Sequence, residues 1–177
     1  NPIAVQTMAA LIGDESLQFQ FVNNKTNPVE IAHNVTYNDA TRVLVAPAGI
    51  IQHMTLGIDT ISSGHAANEY RFWDIPAFTT PALDDAKRYY LYAKVSATGT
   101  TGTFYISENA IAMKGVSGYY HLLMGVLNSA YEGVRSYVSL YGYTEVLPGQ
   151  VVTKKVVSAN GQNYIDFLNN AFRIGNN

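Results

Sequence analysis

Cysteine is absent from this 177-residue chain, and charged residues make up only 14% of it, well below the roughly 25% that is usual for a folded domain. The missing thiols exclude disulfide bonds and thiol chemistry. The net charge of −2 provides no basic surface, which disfavours nucleic-acid binding. No apolar run approaches the ~20 residues of a membrane-spanning helix, so membrane insertion is not expected.

Motifs for catalysis and metal binding are also missing. Transition-metal sites typically use histidines at H-x-H or H-x3–5-H spacing. The four histidines, His33, His53, His65 and His121, form no such pair. No nucleophile elbow, phosphate-binding loop or dinucleotide fingerprint occurs. The sequence therefore predicts a protein that is not an enzyme and that holds no metal and no cofactor.

Acidic residues offer one weaker route to chemistry, because glycoside hydrolysis needs two carboxyl groups roughly 5–9 Å apart. Asp84 and Asp85 are adjacent in sequence, and neighbouring side chains on a turn usually face solvent. Glu145 and Asp166 are interpreted as acceptors of hydrogen bonds from turn backbone. Hydrolysis thus has less support than binding.

Extended stretches dominate what is present, and no segment keeps helical periodicity over three turns. The clearest candidate strands span residues 17–21, 70–75, 89–95, 103–107, 119–127 and 134–143, with further strands expected within 31–45 and 50–58. Turns rich in Gly, Asn and Thr at this spacing indicate an antiparallel sandwich. The predicted fold class is all-β: a jelly-roll-like antiparallel β-sandwich over residues 14–145, preceded by a linker or short helix at 1–13.

The C-terminal part, residues 146–177, is predicted to form a β-hairpin extension. Asn160–Gly161 between apolar runs is a strong hairpin signal, since both residues tolerate positive φ. A two-stranded hairpin is not stable alone, so its apolar residues need a cover. We predict that they form an oligomer interface, the alternative being packing against their own chain: Val151, Val157, Ile165, Phe167, Phe172 and Ile174. No capping element follows them, so the extension is expected to continue in a longer chain.

Aromatic residues are the main candidates for ligand binding. Trp73 is the only tryptophan, and Tyr70 and Arg71 lie close to it in sequence. Aromatic rings can stack on the apolar faces of sugars while arginine binds hydroxyls, so these three residues are candidate glycan-binding residues. The alternative is that Trp73 belongs to the core, as a single tryptophan in a sandwich often does. The 13 tyrosines fit either an interface or a core with hydroxyls at its rim.

The C-terminal string GYTEVLPGQVVTKKVVSANGQNYIDFLNNAFRIGN resembles a module of large tail-fibre-like proteins of phages and prophages of gut bacteria. Five upstream strings share this resemblance: SLQFQFV, AKRYYLYAKV, TGTFYISE, GYYHLLMGVLN and GVRSYVSLYGYTE. The resemblance implies a component of the virion, in the phage tail, of the tail-fibre or receptor-binding type, made in the bacterial cytoplasm. It implies no catalytic residue.

Such proteins are commonly homotrimers, so the resemblance implies a homotrimer that adheres to a host cell-surface glycan or assembles with other virion proteins. Two further function classes stay open. One is a carbohydrate-binding module of a larger protein, which would be a monomer with an exposed aromatic platform. The other, with less support, is a glycan depolymerase domain, which would need facing carboxylates in a groove.

Overall fold

Antiparallel β-strands form nearly all of the regular structure in the computed structural model of this chain. The structure describes residues 14–53 and 70–141, together with the strands at 155–157, 164–166 and 171–173. Within these ranges the one helical element is a short 3-10 helix, Asp14–Leu17. The all-β antiparallel fold class is therefore confirmed, with sheets arranged in a sandwich-like way, while the jelly-roll strand order stays a prediction.

The chain divides into two compact units, residues 1–143 and residues 144–177. The described strands of the first unit are β1 (Phe19–Val22), β2 (Thr36–Asn38), β3 (Val43–Ala46), β4 (Gly49–His53), β5 (Phe72–Ile75), β6 (Phe78–Thr79), β7 (Tyr89–Ser96), β8 (Gly102–Ser107), β9 (Tyr119–Leu127) and β10 (Tyr137–Ser139). They form a sheet of order β1-β4-β5, a sheet of order β2-β3-β6 and a sheet of order β10-β9-β7-β8. These are called below the β4 sheet, the β3 sheet and the β7 sheet.

Strands β7, β8 and β9 lie where the sequence predicted them, but β10 is shorter than the predicted strand at 134–143. The reason is a tight turn just before it. Tyr131 and Val134 exchange two backbone hydrogen bonds, and Glu132 and Gly133 between them have φ values of 53° and 80°. Two successive residues at positive φ are typical of a type I′ turn. Val134 therefore belongs to this turn, and the strand begins only at Tyr137.

One continuous apolar core joins the three sheets of the first unit. Strands β3 and β5 contribute alternate residues to it, as expected for strands with one buried face. The β7 sheet supplies the largest share. Its buried members in this main core are Tyr89, Leu91, Ala93, Val95, Phe104, Leu122, Met124 and Leu127.

Strand β7 is buried on its second face as well, where Tyr90 and Tyr92 enter a smaller apolar cluster. Leu17, from the 3-10 helix, covers this cluster together with Leu140. The predicted strand at 17–21 therefore begins two residues later, at Phe19. A strand covered on both sides carries an uninterrupted apolar run, which is why residues 89–93 are all buried.

A register shift in β9 changes which of its residues enter the main core and which enter the smaller cluster. Leu91 pairs with Gly125 but Tyr92 pairs with Leu123, so Met124 is an extra residue in the ladder. Such a bulge changes which side chains face each side of the sheet. Gly125 also leaves room for the ring of Tyr137 on β10, because a Cβ there would lie 2.5 Å from that ring and 2.5 Å from the carbonyl oxygen of Val138.

Arg135 connects the loops at one end of the β7 sheet, although its side chain is only 1% exposed. Its guanidinium donates hydrogen bonds to the carbonyl oxygens of Asn128, Asp84 and Lys87, at 2.8, 3.1 and 2.6 Å. It also lies over the ring of Tyr89, 5.5 Å from the centroid. A guanidinium presents several donors in a rigid fork, so one side chain binds three loop carbonyls at once.

The second unit contains a small antiparallel sheet of order β11-β12-β13, formed by Lys155–Val157, Tyr164–Asp166 and Ala171–Arg173. The predicted hairpin is present as β11 and β12, and a third strand that was not predicted extends it. Val157 pairs with Tyr164, the register that a two-residue turn at 160–161 requires. The predicted turn itself, Asn160–Gly161, lies outside the described residues, as does the segment 1–13.

Replacing Gly125 by alanine is expected to destabilise the first unit by about 1–3 kcal/mol, the usual cost of overpacking a filled interior. The added methyl group would meet the Tyr137 ring and the Val138 carbonyl oxygen, and the latter is backbone that cannot rotate away. Thermal unfolding followed by circular dichroism measures the change.

Gly115→Ala is the matched control. The atom nearest to the added methyl group would be the Ala112 carbonyl oxygen at 3.2 Å, which is farther away than the neighbours of a Cβ at Gly125. That variant should unfold within a few degrees of wild type. Equal melting temperatures for the two variants would contradict the packing described for Gly125.

Candidate functional site

Trp73, the residue predicted to contact a glycan, is fully buried in the main core. Its indole N–H donates a hydrogen bond of 2.8 Å to the carbonyl oxygen of Ser96. No face of the ring is open to stack on a sugar. Trp73 is therefore a core residue, and its assignment as a glycan-binding residue is wrong. The physical reason is that β5 pairs with β4, and the face of β5 that carries Trp73 points into the main core.

Arg71 and Tyr70, the two other predicted ligand-binding residues, lie beside Trp73. The Arg71 guanidinium donates to the carbonyl oxygens of Ala97 and Gly99, at 2.8 and 3.3 Å. It also lies 5.1 Å from the centre of the Trp73 ring. Arg71 therefore holds the connection between β7 and β8, and its donors are used within the protein. Tyr70 is half-buried at the start of the described segment.

The predicted interface residues fall partly within the described strands of the second unit. Val157, Ile165 and Phe172 lie on β11, β12 and β13, and Ile165 is directly opposite Phe172 in the register. Val151, Phe167 and Ile174 lie outside the described residues. The oligomer interface stays a prediction.

An exposed patch of the β7 sheet brings two tyrosines and a lysine together. The Lys94 ammonium lies 4.4 Å from the centre of the Tyr119 ring and 5.7 Å from that of the Tyr105 ring. Each of the two tyrosines is 43% exposed. With the exposed Thr103 beside them, these residues form what we call the tyrosine–lysine face: Lys94, Thr103, Tyr105 and Tyr119.

Strand pairing explains how residues that are distant in sequence meet on this face. Lys94 on β7 pairs with Thr103 on β8 and with His121 on β9. Tyr105 and Tyr119 are then diagonal neighbours of Lys94, one on each side, at a separation that long and aromatic side chains span. The tyrosine–lysine face lies on the same side of the β7 sheet as the smaller apolar cluster.

Lys94 has no acidic partner on this face. The side chains that share it come from alternate positions of β7, β8 and β9, and none of these residues is aspartate or glutamate. Among the described residues, the Lys94 ammonium contacts only aromatic rings. A cation over a tyrosine ring is attracted by the negative face of the ring, so the rings hold Lys94 in position, and no carboxylate in the described part of the chain pairs with it.

His121 forms the floor of the face and is only 2% exposed. Its ring makes edge contacts with Tyr92 and Tyr105, at centroid distances of 5.6 and 6.0 Å. Its Nδ1 is buried without a hydrogen-bond partner in the described part of the chain. Burial lowers the pKa of His121, and the positive charge of Lys94 lowers it further, so the imidazole is neutral at pH 7.

A concave region of about 620 Å³ lies along the β2–β3 hairpin and is lined by residues 36–41, 43 and 45. The polar side chains of Asn38 and Asp39 in this region already form hydrogen bonds within the protein. The Asn38 side-chain oxygen accepts hydrogen bonds from the backbone N–H groups of Ala40 and Thr41, and an Asp39 carboxylate oxygen accepts one from the Arg135 backbone. The tyrosine–lysine face is therefore the better candidate for binding.

No protein family model, curated protein or solved structure matched this chain. In the described ranges, no group of three or more histidine, aspartate or glutamate side chains could hold a metal ion. The same ranges contain no helix with the length and apolar character needed to span a membrane. Asp84 and Asp85 serve the turn that follows them: Asp84 accepts the Ala86 N–H, and Asp85 lies 3.6 Å from Arg135.

The structure buries some of the tyrosines and exposes others. Tyr89, Tyr90 and Tyr92 are buried, which corresponds to the packed-core alternative, whereas Tyr119 is exposed. Tyr105 had no neighbouring tyrosine in sequence to draw notice to it. The alternation in residues 103–107 could have shown that 103 and 105 lie on one side of β8. It does not show which strand pairs with β8, so the neighbours of Tyr105 could not be identified.

Acidification is expected to destabilise the folded protein below about pH 6.5, and His121 contributes to this. Its folded-state pKa lies below the unfolded value of about 6.5. The unfolded chain then binds more protons, so the stabilisation is complete above that pH and is lost as the pH falls toward the lowered pKa. The pKa of His33 is also lowered, mainly by burial, and acts in the same direction. Melting temperatures measured from pH 7.5 to 5 test this.

The variant His121→Leu should show a smaller decrease in melting temperature over this interval than wild type, because one of the two histidines is removed. The slope is compared rather than the absolute value, since the substitution also changes packing. Parallel curves for the two proteins would contradict the role assigned to His121.

Proposed function

We propose that this protein is a virion structural protein of the phage tail-fibre or receptor-binding type, which attaches to a glycan on the host cell surface. The observation that carries the proposal is the tyrosine–lysine face, where Tyr105 and Tyr119 are each 43% exposed on either side of Lys94. The resemblance of the C-terminal string to tail-fibre modules supports the same function. The protein is made in the bacterial cytoplasm and then carried in the phage tail.

The proposed contact uses the apolar faces of the tyrosine rings together with polar groups at their edges. A sugar presents C–H groups on one side of its ring and hydroxyls around it, and an aromatic ring with a polar tip matches both. Both tyrosines extend from strands of one sheet, so little ordering is required when a ligand binds, which favours affinity.

Adhesion without hydrolysis is the form of this proposal that the face favours. Glycoside hydrolysis requires a pair of carboxyl groups on opposite sides of the scissile bond. The strand positions that make up the tyrosine–lysine face contain no acidic residue. We therefore propose that the protein binds the glycan and is not an enzyme.

The further partners that we propose are two additional copies of this chain and other proteins of the virion. Association through residues 146–177 would place three tyrosine–lysine faces in one particle. Simultaneous binding of several weak sites to one surface can raise the overall affinity by two or more orders of magnitude. A homotrimer would thus suit attachment to a repeating polysaccharide.

Tyr105→Ala and Tyr119→Ala are each expected to weaken binding to host-surface polysaccharide at least tenfold, which corresponds to about 1.4 kcal/mol. The probes are capsule and lipopolysaccharide purified from gut bacteria and immobilised for biolayer interferometry. Tyr131→Ala is the matched control, because Tyr131 is 78% exposed and lies at the turn before β10. Equal weakening by all three substitutions, or no binding to any polysaccharide by wild type, would contradict the proposal.

Light scattering of the intact chain is expected to give a mass near three times 19.4 kDa. Val156, Ile165 and Phe172 pair in one row across β11, β12 and β13, and Ile165→Asp should shift the mass toward that of one chain. Val134→Asp, at an exposed turn position, should leave the mass unchanged. A wild-type monomer at tens of micromolar would exclude the homotrimer.

A further inference from the structure

We infer that the glycan bound at the tyrosine–lysine face is acidic, and that Lys94 binds its anionic substituent. This inference rests on the proposed function and specifies the class of ligand. It follows from three features of Lys94: the lack of a carboxylate partner among the described residues, its position between two rings, and the absence of acidic residues at the strand positions that share its face.

The charge of Lys94 is unusual because the other lysines with described partners are matched by acids. Lys25 pairs with Asp74 and Lys87 with Glu108. Lys94, by contrast, contacts only Tyr105 and Tyr119 among the described residues. An ammonium without a carboxylate, on a surface that also exposes two rings, is complementary to a ligand that combines a negative charge with an apolar face.

Two acidic residues near the ends of β8 are paired with other lysines. Glu108 directly follows β8, but its carboxylate lies 2.8 Å from the ammonium of Lys87. Asp74, which forms a bridge with Thr101 just before β8, contacts Lys25. Neither of these carboxylates is the partner of Lys94.

The position of Lys94 is fixed before any ligand arrives. A lysine side chain has four rotatable bonds and normally loses conformational freedom when it forms an ion pair, which reduces the gain from a surface salt bridge. Here the two rings already hold the ammonium, so that cost is smaller. The half-buried stem of Lys94 also limits how far the charge can move away from the rings.

A neutral sugar would make the stacking contacts but would leave the ammonium without a partner. A sugar with an anionic group beside its apolar face would satisfy both. That group is a carboxylate, as in uronic and sialic acids, or a phosphate substituent on the sugar. The two sources share the chemistry that Lys94 recognises, and they can be separated experimentally.

Binding to defined polymers tests the inference. The carboxylate probes are polygalacturonate and polysialic acid, the phosphate probe is dextran phosphate, and the neutral probes are carboxyl-reduced polygalacturonate and dextran. Wild type is expected to bind at least one anionic polymer at least tenfold more tightly than its neutral counterpart. Preference for the first two probes identifies a carboxylate, and preference for the third identifies a phosphate. Raising the salt concentration from 50 to 500 mM should reduce the preference, because exposed charges are screened.

Lys94→Gln should bring the anionic-to-neutral ratio close to one, whereas Lys94→Arg should keep most of the preference because it retains the charge. Lys94→Met, which keeps the apolar stem over His121, checks that a loss does not come from disturbed packing, and it should behave like Lys94→Gln. Melting temperatures establish that each variant is folded. Tyr131→Ala should match wild type throughout.

The outcomes separate this inference from the proposed function. If wild type binds neutral and anionic polymers equally well, and Tyr105→Ala weakens both, glycan adhesion stands and the acidic ligand is excluded. If Lys94→Gln and Lys94→Met keep the preference of wild type, another cation is responsible and the inference is wrong. If wild type binds none of the polymers nor the purified host polysaccharides, both proposals fail.

Discussion

Residues 89–93 of strand β7 are buried on both faces of the sheet, and the rest of the first unit is arranged around that constraint. One face enters the main core, where three sheets meet, and the other enters the smaller cluster with Tyr90 and Tyr92. A strand in this position leaves its neighbours little choice of register, because a slip of one residue would exchange the buried and exposed sides of the partner. The positions of β8 and β9, and of the tyrosines that they expose, follow from it.

Two arginines hold β7 at its ends, and both act through backbone carbonyl oxygens. Arg135 binds the carbonyl oxygen of Lys87, just before the strand, and Arg71 binds that of Ala97, just after it. Each also lies over an aromatic ring of the core, Tyr89 or Trp73. A chain with few charged residues thus places two of its cations at loop junctions, where a guanidinium can satisfy several acceptors at once. Lys94 differs from both, since its donors have no carbonyl or carboxylate partner among the described residues.

Much of the fold could be predicted because the necessary information is local. Extended stretches bounded by turn residues identified β7, β8 and β9 almost to the residue, and the Asn160–Gly161 signal agrees with the register of β11 and β12. The candidate site could not be predicted in the same way. Trp73 was a candidate ligand residue with a core position as the alternative, and it is a core residue, while Tyr105 was not singled out. Whether an aromatic side chain is buried or exposed depends on which sheet packs against its strand, and periodicity carries no information about that.

The sequence by itself determined an all-β antiparallel chain without disulfides, since extended periodicity, turn residues and the lack of cysteine are properties of short segments. Only the tertiary structure decided that Lys94 lies between Tyr105 and Tyr119, because this depends on the register of three strands. It also decided that Met124 is an extra residue in β9, and that Arg135 is buried. These features arise from contacts between residues distant in the chain, and their free energy is gained only when the sheets come together.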